Sequence, residues 1–174
     1  PTTNTVSVSI GQKEVTVSSG ITAANKVYDG KNTATVNADG ATFTGKADGD
    51  NLTITATGTF ANADVGDGKT VTLTLGALGG TSVANYTLAA TGNQTTTTAN
   101  ITPATLTVTP ATMLSKVFGA ADPTLTYTYK GNFETPAFDG KLERDPGEKA
   151  GAYAIKQGTL KLKDNTTFLA GNYK

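Results

Sequence analysis

Apolar and polar residues alternate along much of the chain. Successive side chains of a β-strand point to opposite faces, so an alternating run rich in β-branched residues predicts a half-buried strand. Short stretches rich in Gly, Asp and Asn separate these runs and predict turns. Because no stretch of about eleven residues shows a helical face, we predict an all-β fold. The predicted strands are residues 5–10, 14–19, 51–60, 69–76, 104–110, 123–131 and 158–164.

One junction between an apolar segment and a turn occurs twice. Lys26 begins the sequence KVYDG, and Lys116 begins KVFGA. Each junction follows an alternating segment and leads to an Asn-Tyr pair. Asn85 follows Lys26 at nearly the same distance along the chain as Asn172 follows Lys116. Two similar units in succession are typical of a tandem array of repeats.

The predicted architecture is two small β-sandwich-like modules in an elongated arrangement, residues 1–102 and residues 103–174. Ig-like and β-grasp-like packing both remain open, since strand order does not follow from spacing. The first copy continues past its Asn-Tyr pair through a further alternating segment, whereas the second reaches Lys174 directly. We therefore expect the second module to lack its last strand. Pro103 and Pro110 fix φ at the junction and limit hinge motion there.

Composition and charge exclude several classes of function. The chain has 14 basic and 14 acidic residues and contains no His, Cys or Trp. A net charge of zero attracts neither nucleic acid nor anionic lipid. Without His and Cys the chain forms no disulfide and lacks the commonest metal ligand and general base. No run approaches the roughly 18 apolar residues of a membrane span. We expect no enzymatic activity, catalytic residue, cofactor, bound metal, nucleic-acid partner or membrane insertion.

The residues around the two junctions resemble known repeats. The first junction and the residues after it resemble the YDG repeat of giant bacterial surface adhesins of the filamentous haemagglutinin kind. The matching segments are ITAANKVYDGKNTATV followed by GTFANADVGDGKTVTLTLGALGGTSVANYTL. The second junction and the residues after it are similar to the MBG repeat, which commonly follows the YDG repeat. The matching segments are KVFGAADPTLTYTYKG followed by GKLERDPGEKAGAYAIKQGTLKL and AGNYK. Order and spacing agree as well as letters, over almost the whole chain from about Thr16.

This resemblance implies a structural role outside the cell. The chain would be a stalk or spacer of an exported adhesin that displays a distal binding region in adhesion or biofilm formation. Its location would be extracellular, at the bacterial surface, and its partners would be neighbouring repeats of the same chain. We expect a monomeric fragment. The alternative is an adhesin module that itself recognises a glycan or a host surface protein, through binding residues that are unknown.

The recurring Lys and Asn residues raise the question of an intramolecular isopeptide crosslink. Such a bond would join Lys26 to Asn85 in the first copy and Lys116 to Asn172 in the second. It requires the amine and the amide to lie together in an apolar pocket, beside a protonated acid that polarises the amide. The favoured interpretation is structural, with the Lys stems packed and the Asn residues capping turns.

The acid needed for a crosslink is unequally present in the two copies. Asp29 could supply it in the first copy. In the second copy Gly119 takes that position, and Asp122 is the next acid along the chain. This difference favours the structural interpretation of the recurring residues.

Two acidic turns and five glycosylation sequons are candidate sites of a different kind. Residues 47–51 and 63–68 combine acids with Gly and could offer oxygen ligands to Ca²⁺. Neither has the spacing of a known calcium loop, and the same residues are typical of exposed hairpins. In a chain so rich in Ser and Thr, sequons are also expected by chance and predict little. The sequons begin at Asn51, Asn85, Asn93, Asn100 and Asn165.

Three groups of strand side chains could form binding surfaces. Flat rows of Thr can bind ice or sugar, but an exposed β-face favours Thr in any case and strand twist opposes a flat lattice. Aromatic residues could form a carbohydrate platform, but their positions in alternating segments favour core packing. We interpret Lys156, Lys161 and Lys163 as a solvated strand face. The Thr rows are Thr53, Thr55 and Thr57, and Thr70, Thr72 and Thr74. The aromatic residues are Tyr28, Phe60, Tyr86, Phe118, Tyr127, Tyr129 and Tyr153.

Overall fold

A computed structural model of the chain describes residues 6–174. Within this range the regular structure consists of strands and two short 3₁₀ helices, so the all-β prediction is confirmed. None of the helices in this range is long and apolar enough to cross a membrane. The chain forms two compact units. Unit 1 comprises the residues up to Lys26 and Lys31–Ile101, and unit 2 comprises Val27–Gly30 and Thr102–Lys174.

The first ten strands form two larger sheets and one small one. The strands are β1 (Lys13–Ser19), β2 (Thr22–Ala23), β3 (Lys26–Val27), β4 (Thr33–Ala34), β5 (Val36–Asn37), β6 (Thr42–Thr44), β7 (Thr53–Phe60), β8 (Gly66–Gly79), β9 (Tyr86–Leu88) and β10 (Thr96–Thr102). Their order is β6-β1-β9 in a three-stranded sheet and β3-β10-β8-β7-β4 in a five-stranded sheet, while β2 pairs with β5. A 3₁₀ helix, Val83–Asn85, precedes β9.

Strand β1 lies at the centre of the three-stranded sheet. It runs parallel to β9, with Lys13 opposite Tyr86, and antiparallel to β6, with Val17 opposite Phe43. Val15 and Val17 point to the same face and are almost fully buried. The parallel pairing therefore brings the Asn-Tyr end of the first copy back beside the strand that begins the unit.

The antiparallel pair β7 and β8 shows the predicted alternation of burial. Ile54 and Phe60 are buried, whereas the Thr residues between them are exposed. Thr57 lies opposite Thr74 and Thr59 opposite Thr72, so the exposed face of the pair is rich in Thr. The period of two thus determines which side chains of these strands enter the core.

Other predicted strands are shorter than expected or absent. Residues 6–10 form no strand, and Val6, Val8 and Ile10 are exposed, so that part of the prediction is wrong. Residue 5, where the predicted strand began, lies outside the described residues. Of residues 104–110 and 123–131, only the later portions are strands. Alternation without a hydrogen-bonding partner is therefore insufficient for a strand.

The core of unit 1 contains side chains from both larger sheets. One cluster contains Val15, Leu52 and Tyr86, with Phe43 and Leu78 packed against it. This packing accounts for the burial of apolar residues in strands that do not pair with each other. The sandwich-like packing of the sheets remains a prediction. The buried apolar residues of unit 1 are Val15, Val17, Ile21, Leu52, Ile54, Phe60, Val71, Leu73, Tyr86, Ala99 and Ile101.

Two side-chain amides form hydrogen bonds with backbone groups near the end of β1 and just after it. Asn93 Oδ1 accepts a hydrogen bond from Val17 N at 2.9 Å. Gln94 Oε1 accepts one from Ile21 N at 3.0 Å, and Gln94 Nε2 donates to Ile21 O at 2.8 Å. Ile21 is 1% exposed, so its peptide groups have little access to water. The amide of Gln94 thus takes the place of a peptide group on a neighbouring strand.

Unit 2 is built from pairs of short strands. The strands are β11 (Thr107–Pro110), β12 (Tyr127–Lys130), β13 (Ala137–Asp139), β14 (Glu143–Arg144), β15 (Ile155–Lys156) and β16 (Lys161–Lys163). Antiparallel pairing joins β11 with β12, β13 with β16, and β14 with β15. Ala104 forms a parallel bridge with Tyr173, and Lys174 N donates to Ala104 O at 2.8 Å. This bridge matches the parallel pairing of Lys13 with Tyr86 in unit 1.

The segment Val27–Gly30 contributes to the core of unit 2. Tyr28 N donates a hydrogen bond to Thr102 O at 2.8 Å, and the Tyr28 side chain is 6% exposed. The sequence-based prediction placed this segment in the first module, because it is contiguous there. The buried residues of unit 2 are Tyr28, Ala104, Leu106, Pro136, Leu142, Leu160, Phe168, Asn172 and Tyr173.

Candidate functional site

In unit 1 a buried tyrosine is bound to a carboxylate. The Tyr86 hydroxyl donates to Asp50 Oδ2 at 2.5 Å and accepts a hydrogen bond from Ala47 N at 2.9 Å. Ser82 Oγ donates to the other carboxylate oxygen of Asp50 at 2.9 Å. The hydrogen bonds from Tyr86 and Ser82 lower the pKa of Asp50, and the bond to Asp50 raises the pKa of Tyr86. The acid is thereby held ionised and the phenol protonated.

Unit 2 contains the same contact, made by the corresponding tyrosine. The Tyr173 hydroxyl donates to Glu134 Oε2 and accepts a hydrogen bond from Phe133 N at 3.1 Å. In this unit the second carboxylate oxygen, Glu134 Oε1, accepts a hydrogen bond from the Tyr28 hydroxyl. We call this contact in both units the tyrosine–carboxylate lock. Tyr28 in unit 2 thus takes the role that Ser82 has in unit 1.

Aromatic side chains surround the lock of unit 2. The Tyr28 ring makes edge contacts with Phe133 and Tyr173, at centroid distances of 6.0 and 5.4 Å. Phe168 stacks on Tyr173 at 5.0 Å. Burial first, and then the hydrogen bond to Glu134, raise the pKa of Tyr28 well above its usual value. The phenol of Tyr28 therefore stays protonated, and the five residues form one hydrogen-bonded aromatic cluster.

Four charged side chains of unit 2 form an ion-pair network. Lys116 Nζ lies 2.7 Å from both Asp122 Oδ1 and Glu148 Oε2. Arg144 bridges the same two acids, at 3.0 Å from Asp122 and 2.5 Å from Glu148. Lys116 and then Arg144 lower the pKa of both Asp122 and Glu148. Every charge in the network is paired, so the network ties β14, through Arg144, to the loop segments that contain Lys116, Asp122 and Glu148.

A groove of about 1000 Å³ lies over this network. Arg144 stacks over the Tyr153 ring at 5.0 Å, and Phe118 and Pro123 also line the groove. Arg144 donates further hydrogen bonds to the carbonyls of Asp145 and Gly147, at 2.9 and 2.6 Å. The groove offers an aromatic ring, a guanidinium group and carboxylates, which is a set of groups that can bind a polar ligand.

Three of the four residues considered for isopeptide crosslinks, Lys26, Lys116 and Asn172, have other side-chain partners. Lys26 Nζ donates to Lys31 O and Thr33 O, at 2.9 and 3.2 Å. In unit 2 the acids Asp122 and Glu148 hold Lys116 and raise its pKa, which keeps the amine protonated and non-nucleophilic. The Asn172 side chain is buried and hydrogen-bonds the Tyr28 hydroxyl. The contact common to both units is therefore made by the tyrosine after each Asn.

The acidic turns and sequons also hold internal contacts. Asp50, in the first acidic turn, belongs to the lock of unit 1. In residues 6–174 we find no group of three or more acidic, His or Cys side chains placed to hold a metal. Among the sequon residues, Asn100 Oδ1 accepts a hydrogen bond from Gly68 N at 2.7 Å, and Asn165 Oδ1 accepts one from Phe168 N at 2.7 Å. The Asn100 amide therefore links β10 to β8, and the Asn165 amide supports the turn that precedes Phe168.

The Thr rows form one exposed face of the five-stranded sheet. Strand pairing places Thr33, Thr59, Thr72 and Thr96 in a transverse row across β4, β7, β8 and β10. All four residues are exposed. The structure therefore confirms exposed Thr rows.

Aromatic residues divide between core and surface. Tyr28, Phe60 and Tyr86 are buried as predicted. The core prediction is wrong for Phe118, which is 78% exposed, and for Tyr129, which is 42% exposed. Phe118 occupies the position in the second junction that Tyr28 occupies in the first. A local pattern thus cannot distinguish an aromatic residue with a pocket from one without.

The sequence predicted the lysines of the last strands correctly and missed the charged network. Lys156 and Lys161 are about two-thirds exposed and pair with Asp145 and Asp139. Lys163 is also exposed, so the solvated face is confirmed. The roles of Glu134 and Arg144 were missed. The recurrence of Asn-Tyr was a usable signal for the locks, since each tyrosine needs a hydroxyl partner when buried.

Comparison with known families gives two adjacent matches. Residues 11–99 match the family model of the YDG domain, and residues 106–174 match that of the MBG domain of the YGX type. No curated protein and no solved structure gives a significant match. The matches confirm the resemblance seen at the two junctions. The chain therefore belongs to the YDG domain family, and it continues into an MBG domain of the YGX type.

Proposed function

We propose that this chain is a structural stalk or spacer segment of an exported bacterial adhesin. In this role it would hold a distal binding region away from the cell surface, and its partners would be the neighbouring repeats. The two adjacent repeat-type domains support this proposal. So does the even charge balance, which provides no long-range attraction for nucleic acid or lipid.

The observation that carries the proposal is the recurrence of the tyrosine–carboxylate lock. In each unit a buried tyrosine, Tyr86 or Tyr173, ties the Asn-Tyr end to a carboxylate. A parallel contact then joins that end to β1 in unit 1 and to Ala104, which precedes β11, in unit 2. A spacer is built from modules that repeat one design, since stability is then a sum over repeats and their interfaces.

A binding screen tests the proposal. The folded chain would be applied to a glycan array and to a panel of host matrix proteins, with the heat-denatured chain as control for non-specific adsorption. A spacer predicts no binding that soluble ligand can displace. Pulling the chain by its ends should show separate unfolding events for two modules. Specific and displaceable binding to one glycan or protein would contradict the passive role.

A second candidate function is recognition of a glycan or host protein by the module itself. The groove in unit 2 favours it, because Arg144, Tyr153 and the acids at its base are groups that bind polar ligands. If the array gives a displaceable signal, Tyr153→Ala should abolish it. Tyr129→Ala, at an exposed ring outside the groove, is the matched control and should retain it.

A further inference from the structure

The aromatic residues of the two junctions lie in opposite environments. Tyr28 is 6% exposed within the aromatic cluster of unit 2, whereas Phe118 is 78% exposed. Both follow the dipeptide Lys-Val. A glycine with a left-handed backbone comes two residues after Tyr28, Gly30 at φ 73°, and directly after Phe118, Gly119 at φ 84°. The two loops share the Lys-Val-aromatic sequence but differ in burial and in backbone, since Lys26 and Val27 form β3 whereas residues 116–118 form no strand.

The space around Gly30 and the space around Gly119 differ as well. A Cβ atom on Gly30 would lie 3.7 Å from Phe133 Cβ and 3.8 Å from Glu134 Oε1, which is van der Waals contact. A Cβ atom on Gly119 would have no atom of the described chain within 4 Å. The first loop thus packs against an aromatic pocket at Gly30, and the second loop has open space at Gly119.

The exposed loop is ordered despite its apolar surface. Val117 and Phe118 are each 78% exposed, and Ala120 N closes a turn by donating to Val117 O at 3.0 Å. The preceding Lys116 is held by Asp122 and Glu148, and its side chain is 21% exposed. An apolar tip that is already fixed in shape loses little conformational entropy when it binds.

We propose that the loop Val117–Gly119 is a docking element for the aromatic pocket of another module built like unit 2. The corresponding loop of the first junction supports this proposal. Its Tyr28 side chain occupies such a pocket, where it contacts Phe133 and Tyr173, and Phe168 stacks on Tyr173. The pocket of unit 2 is filled by Tyr28, so the partner is a further module. Phe118 has no hydroxyl group, so in such a pocket its ring would pack without a hydrogen bond to the glutamate. The inference rests on this packing and holds whether or not the chain serves as a stalk.

A tandem chain tests the proposal with the whole protein retained. Residues 1–174 would be followed directly by a second copy of residues 88–174, since Lys174 follows Asn-Tyr as Thr87 does. The added Thr102 would then follow Phe118 at nearly the same distance along the chain as Thr102 follows Tyr28 in the protein itself. The second loop can therefore reach the added pocket in the way that the first loop reaches its own.

Substitutions in the first copy then separate docking from general effects. Phe118→Ala should lower the melting temperature of the added module by about 10 °C or more, as loss of a buried aromatic side chain does in a small domain. In the 174-residue chain the same change should shift melting by less than about 3 °C, because Phe118 is exposed there. Met113→Ala, at a 96% exposed residue of the same segment, should have no effect in either chain.

A conservative variant sharpens the test. Phe118→Tyr supplies a hydroxyl for the glutamate of the added module and should raise its melting temperature above that of the tandem chain with Phe118. Equal effects of Phe118→Ala in the tandem and 174-residue chains would overturn the proposal. So would an added module that stays unfolded beside an intact Phe118 loop.

Discussion

Replacement of Tyr28 should destabilise unit 2, although Tyr28 lies among residues that match the YDG domain. The side chain is 6% exposed and packs against Phe133 and Tyr173. Removing a buried aromatic ring costs about 3–5 kcal/mol, so Tyr28→Ala should cost that amount. Tyr28→Phe keeps the ring and removes the hydroxyl from Glu134. Because Glu134 is half-buried and water can take the vacated place, we expect a cost of about 1–2 kcal/mol.

Urea denaturation with hydrogen exchange by mass spectrometry measures the size and place of this effect. Peptides from residues 102–174 should lose protection at lower urea in Tyr28→Ala, while those from residues 31–101 should change less. Phe118→Ala is the matched control, since the same kind of ring is exposed there, and should cost less than about 0.5 kcal/mol. The reasoning would be refuted if Tyr28→Ala affected residues 31–101 and left residues 102–174 unchanged.

Two further predictions concern pH and a side-chain amide. The pKa values of Asp122 and Glu148 lie below their ordinary values of 3.8 and 4.5, so these acids contribute stability above those values that is lost as pH falls through the folded pKa values. Unit 2 should therefore weaken below about pH 4, less steeply in Arg144→Gln, as a urea series across pH 7 to 2 would show. Gln94→Ala should destabilise unit 1 by about 1–3 kcal/mol, because the buried peptide groups of Ile21 lose their partners. Gln94→Glu keeps an acceptor for Ile21 N but sets a carboxylate oxygen against the carbonyls of Ile21 and Thr96, so it should not restore stability. Urea midpoints equal to that of the unchanged chain in both variants would contradict this role.

Burial within the long strands was predictable from sequence because it depends on strand period and little else. In β7 and β8 the Thr residues face outward and Ile54, Phe60 and Val71 face inward. The same pattern failed at residues 6–10, where apolar and polar residues alternate but no strand forms. A strand needs a partner for its backbone groups, and a local pattern contains no information about that partner.

The recurrence of the junctions located important residues without identifying their contacts. Asn-Tyr recurs as the same residue pair at nearly the same distance from each junction, but the acid that binds each tyrosine differs in type and offset: Asp50 precedes Tyr86 by 36 residues, and Glu134 precedes Tyr173 by 39. The repeat alignment also treats Tyr28 and Phe118 as equivalent. Their difference in burial arises from which segment lies beside each loop in space, and spacing along one chain does not determine this.

The central claim is that the Tyr28 side chain belongs to the core of unit 2, whereas the Phe118 side chain is exposed to solvent. Nuclear Overhauser spectroscopy of the 174-residue chain in solution measures this directly. The account predicts cross-peaks from the Tyr28 ring protons to the rings of Phe133 and Tyr173, and none of comparable strength from Phe118 to any buried aromatic ring. Cross-peaks from Tyr28 confined to residues 31–101, or a Phe118 ring buried among Phe168 and Tyr173, would contradict it.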